Sequence, residues 1–154
     1  MLYIIALIIF IAMLFFNMFL CGVSLTHLID MVSLLLVVLS VVPMLFVSGM
    51  ERDFIRSFLV ISKKTENLTT IQLKRCKAAV SLTIKLLLCS GTLMTLVSAY
   101  GLLCLNPLPE QMFPSLAVAS LCLVYALIPC FLLLPLQAKL TAKLINLQED
   151  ESYI

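Results

Sequence analysis

Residues 113–140, FPSLAVASLCLVYALIPCFLLLPLQAKL, carry no charge before Lys139. That is longer than the roughly 20 apolar residues a helix needs to cross a bilayer. Such a run must be covered by lipid or by other apolar helices. Pro114, Pro129 and Pro135 lie inside it, and small residues recur along it at helical spacing.

The rest of the chain is of the same kind. Of 154 residues, 63% are hydrophobic and only 12% charged. The mean hydropathy of +1.19 is that of an integral membrane protein, not of a soluble domain this size. The fold class expected is all-α and polytopic. The net charge of +2 is sparse and clustered, with no basic, aromatic-interleaved surface for nucleic acid. Cys21, Cys76, Cys89, Cys104, Cys122 and Cys130 form no CxxC pair and mostly sit in apolar runs. They read as small hydrophobes, with disulfides or metal ligation as the alternative. His27 has no neighbouring Cys or His to complete a metal site, so neither metal nor cofactor is expected. The N-terminal MLYIIALIIFIAMLFF lacks a basic leader and a small-x-small cleavage site, and reads as a retained helix.

Four spans are expected, at about 2–21, 31–49, 79–105 and 113–137. The first is bulky aliphatic around its circumference and suits lipid. A short connection, 22–29, leads to Asp30, which stands where the second span starts. Its carboxylate suits a helix cap, with an ion or partner contact as the sharper alternative. In the second span, Ser33 and Ser40 are seven apart and share a face, and Pro43 favours a kink. Residues 50–78 form the one long polar section, a loop that holds most of the Lys and Arg. Within it, DFIRSFLVI places Phe54, Ile55, Phe58 and Leu59 on one stripe of a short amphipathic helix. Lys85, just inside the third span, is expected to snorkel. Pro107 and Pro109 are expected to hold residues 106–112 as a turn, and 138–154 reads as a polar tail. The positive-inside rule puts the 50–78 loop and both termini in the cytoplasm.

The last two spans carry the residues of interest. Gly91, Thr95 and Ala99 recur every four residues, as do Ser115 and Ala119, with Ala117, Ser120 and Ala126 nearby. Small residues at that spacing let helices approach closely in lipid. They serve either an oligomer or ordinary packing inside one bundle, and the pattern fits both. Thr92, Thr95 and Ser98 recur every three residues and make a hydroxyl stripe. Such a stripe bonds its own helix or a neighbour, or lines a narrow wet path. Neither of these spans contains Asp or Glu. Ions crossing a membrane commonly use an intramembrane carboxylate, so a conducting chain of this kind would take its titrating group from a second protein.

LIDMVSLLLVVLSVVPMLFVSG followed by DFIRSF resembles the second-helix region of small members of the MotA/TolQ/ExbB proton channel family. SGTLMTLVSAYGLLCLN and PLPEQMFPSLAVASLCLVYALIPCFLLLPLQAKL resemble that family's last two helices, over about 30–140 in all. The resemblance implies a homo-oligomeric ring, usually a pentamer, around a dimer of a single-span MotB/ExbD/TolR-like partner whose aspartate carries the proton. It implies an inner-membrane, multi-pass stator-type subunit in a bacterial cell. By position, Thr95 corresponds to the hydroxyl facing that aspartate, with Ser98, Thr92 and Ser120 next and Tyr125 as the fourth-helix tyrosine. The chain departs from the pattern in its short 50–78 section. It has Cys122 and Leu123 where threonines are common, and Ala126 where Gly is usual. The expected function is the ion-channel half, most naturally for protons, of a membrane motor. A scaffold subunit without transport is the alternative. A small transporter with its own pocket is a third class, disfavoured by the missing charge. No nucleophile–base pair or phosphate loop points to an enzyme.

Overall fold

The computed structural model of the chain describes residues 8–9, 11–13, 15–16, 19–20, 30–59, 69–104 and 109–152. Among these, all regular structure is helical. The described residues of the first stretch are helical and exposed. The remainder of that expected span and the connection with His27 lie outside the described residues. Four helices follow: α1 (Met31–Val47), α2 (Glu51–Leu59), α3 (Thr70–Cys104) and α4 (Pro109–Ser152).

The centre of the fold is the antiparallel hairpin of α3 and α4. Each helix presents a seam at three- and four-residue spacing. On α3 it is Leu73, Cys76, Val80, Ile84, Leu87 and Gly91; on α4 it is Ala119, Cys122, Ala126, Cys130, Leu133, Leu136, Leu140 and Leu144, all buried. This spacing keeps one stripe of each helix against the other. Cys130 fills the seam as a small apolar group, and its thiol points at the Ile84 carbonyl, 3.5 Å away. The described cysteines are all unbridged.

Both helices run further than the sequence patterning indicates. At about 1.5 Å per residue, α3 is roughly 52 Å long and α4 roughly 66 Å, against a hydrocarbon core of about 30 Å. The expected loop 50–78 is mostly helical, because α2 occupies its start and the first turns of α3 its end. Thr69 starts α3: its carbonyl accepts from the Leu73 N–H at 3.1 Å and its hydroxyl from the Gln72 N–H at 3.4 Å. The expected tail is helical to Ser152, held by burial of Leu140 and Leu144. Pro109, expected to belong to the turn, is the first residue of α4. A proline costs nothing there, since a first-turn N–H has no intrahelical acceptor to lose.

α1 packs on the hairpin through Ser33, Val37, Val41 and Leu45. It ends at Ser48-Gly49, where the Gly49 N–H reaches the Phe46 carbonyl at 2.9 Å and the glycine takes φ +65°. That left-handed turn sends α2 off at 108° to α1. α2 puts Glu51 and Asp53 in its first turn, where carboxylates favour the helix dipole. It turns Phe54 inward, with Phe58 packed edge-on at a ring distance of 5.2 Å. Among the described residues, two helical stretches are long and apolar enough to cross a membrane, Thr70–Cys104 and Ser115–Leu147, or three if the bent α1–α2 pair makes one span. These apolar helices suggest membrane insertion.

Candidate functional site

The small residues of the last two helices fall largely inside the hairpin. Gly91 is buried, and a Cβ there would overlap the Cβ of Ala126 and press on the Cys122 carbonyl oxygen at 3.3 Å. Ala119 is buried further along the same seam, while Ala99 and Ser115 are half-buried. The close approach at Gly91 is thus a contact within one chain.

The hydroxyl stripe is split by burial. Thr95 is half-buried and its hydroxyl donates to the Gly91 carbonyl at 2.8 Å. Thr92 is exposed and donates to the Leu88 and Cys89 carbonyls at 2.8 and 3.0 Å. Ser120 is exposed and donates to the Ala117 carbonyl at 2.7 Å. Ser98 is half-buried. A hydroxyl that donates to its own helix keeps acceptor capacity for a proton or donor outside it. Thr92 and Ser120 therefore offer acceptor capacity on the outer surface of this chain, while Thr95 is half-buried.

Tyr125 does something the sequence did not indicate. It is half-buried, and its hydroxyl accepts the backbone N–H of Asp30 at 2.7 Å, tying the start of α1 to the middle of α4. Asp30 caps α1 as expected. Its carboxylate accepts from the Val32 and Ser33 N–H groups at 3.2 and 3.3 Å, and from the Ser33 hydroxyl. One face of α1 carries Asp30, Ser33 and Ser40. The Ser40 hydroxyl bonds the Ser90 hydroxyl of α3 and also donates to the Val37 carbonyl at 2.8 Å. The seven-residue spacing of Ser33 and Ser40 signals this face; nothing in the pattern signals Ser90 or the Asp30–Tyr125 contact.

Beside these groups, α1, α2 and α4 form a half-open groove of about 610 Å³, lined by residues such as Val38, Val42, Phe58, Ile128 and Leu132, with Thr83 and Leu87 of α3 also lining it. Its wall is almost wholly apolar, because Thr83 turns its hydroxyl onto the Ala79 carbonyl at 2.9 Å. Among the described residues, no three His, Cys, Asp or Glu side chains gather as a metal site would require.

No family model matches this chain, and neither the curated proteins nor the solved structures contain a match to it.

Proposed function

We propose that the chain is the channel-forming subunit of an ion-driven membrane complex, with the proton as its ion. In this reading four spans pack as a homo-oligomeric ring, a pentamer by the resemblance, in a bacterial inner membrane with both termini cytoplasmic. A single-span partner supplies a titrating carboxylate to the ring's inner face. The observation that carries the reading is the outward position of Thr92 and Ser120 beside Thr95. Hydroxyls on the lipid-facing side of a membrane subunit gain little there, whereas at the lumen of a ring they meet water or a partner. A charge moved through such a path yields about 2.3 kcal/mol per 100 mV, enough to drive mechanical work when several move together.

One observation favours a scaffold subunit instead: Thr92, Thr95 and Ser120 all donate to carbonyls of their own helix. Mass separates the two. The purified complex is weighed by native mass spectrometry, expressed alone and with a single-span membrane protein encoded beside it. The channel reading expects a closed ring of several copies that retains two partner chains. A monomer, or a ring that takes up no partner, moves the function to the scaffold.

A further inference from the structure

We infer that Asp30 is a protonatable carboxyl held at membrane depth, where the start of α1 is tied to the middle of α4. Depth is fixed by its tie to Tyr125. The nearest charges along α4 are Glu110 and Lys139, 15 residues before and 14 after Tyr125. At 1.5 Å per residue that is more than about 20 Å on either side. Helical side chains lean toward the helix N-terminus, so the hydroxyl sits about one turn nearer Glu110. Wherever a core of about 30 Å is placed between those two charges, the hydroxyl and the Asp30 amide bonded to it fall within it.

A helix cap alone accounts for the bonds to Val32 and Ser33, and it would serve equally well at the water's edge. It does not account for a carboxyl at this level. On the inner face of α1 two polar contacts are separated by the buried Val37. Ser33 is buried against the hairpin, and Ser40 meets Ser90 two turns further on. Two opposed influences act on the carboxyl. Hydrocarbon favours the neutral form, and three donors favour the charged one. Among the described residues, the other titratable group facing it is Tyr125, from α4. α3 contributes Ser90 to the second contact, and its only charged residue beyond Lys77 is Lys85. The chain thus has a proton-binding group of its own, within the membrane. The inference rests on the bilayer placement and stands apart from ion conduction.

Labelling with carbodiimides tests it on the full chain in liposomes, with adducts located by peptide mass spectrometry. These reagents add to a protonated carboxyl and rearrange to a stable acylurea, with no leaving group. Dicyclohexylcarbodiimide reaches carboxyls in hydrocarbon; its water-soluble analogue, ethyl-dimethylaminopropyl-carbodiimide, reaches those in water. The expected result is an adduct of the lipid-soluble reagent on Asp30. Its rate should fall about tenfold per pH unit above the titration midpoint. Asp30→Asn, which keeps a good cap, should remove the adduct and leave the fold. Modification of Asp30 by the water-soluble reagent at the rate of Asp53 would place the carboxyl in water and overturn the inference. No adduct with either reagent would mean a carboxylate permanently ionised as a cap, which overturns it too. Neither readout needs a partner or a flux, so the outcome is independent of the channel reading.

Discussion

A methyl group at position 91 has nowhere to go, since the Ala126 Cβ and the Cys122 carbonyl already occupy its place. In lipid, helices have no hydrophobic drive toward one another, and close backbone packing takes its place. Gly91→Ala is therefore expected to destabilise the hairpin by about 1–3 kcal/mol, the usual range for overpacking a tight contact. Ala126→Gly should recover a large part of that loss when combined with it, with a coupling of about 0.5–3 kcal/mol. Unfolding in mixed detergent gives all four corners of the cycle. Additive effects would mean that the two residues do not meet. Gly91 was legible in sequence as a small residue at helical spacing, but its partner was not, because spacing on one helix does not say which neighbour fills the gap. Asp30 shows the same limit. The sequence places an acidic residue before an apolar run, which reads as a cap. Where it sits along α4 depends on how α1 packs on the hairpin, and its bond to Tyr125 is what shows this.

At the scale of the element, the hairpin extends beyond any bilayer. Lys74, Arg75, Lys77, Lys139 and Lys143 gather at one end of the hairpin, the end that a bilayer around the apolar segments would leave in water. There the seam is built of larger side chains, Leu73, Leu136 and Leu140, all fully buried. In that region water is present and burial of apolar surface contributes in the ordinary way, about 1.5–3 kcal/mol for a leucine. Leu140→Ala is expected to lose about 2–5 kcal/mol. Hydrogen exchange should speed up in 70–80 and 136–147 while the segments around Gly91 and Ala126 stay protected. Equal loss of protection along the whole hairpin would mean that the two halves of the seam are not separable. Part of this extension was written in the sequence. Thr69 and Gln72 make the S/T-x-x-E/Q signature of a helix start, and Leu73, Cys76 and Val80 continue the seam spacing of the apolar segment. The lysines and arginines among them obscured it, since charge density reads as loop when the face is not separated from the helix. Pro109 misled for a similar reason, because a proline marks a helix start as readily as a stop.

For the molecule as a whole, the all-helical membrane character followed from apolar length alone, as it must when each backbone polar group in lipid needs a partner. The two longest apolar helices are where the sequence placed the last two spans, and α2 forms where the stripe at 54–59 indicated. What composition does not reveal is how the polar groups divide. Thr92 and Ser120 face out of the chain, whereas Ser33, Ser40, Ser90 and Tyr125 face into it. The outward set suits an oligomer and a partner. The inward set gives the chain polar contacts that hold α1 on the hairpin. The most direct measurement is proton entry into liposomes that carry the complex with its single-span partner, followed by an internal pH dye under an imposed inside-negative potential. The account predicts acidification that depends on the potential and disappears in Thr95→Val, while the mass of the complex is unchanged. Acidification no greater than in empty liposomes, or undiminished by Thr95→Val, would contradict it.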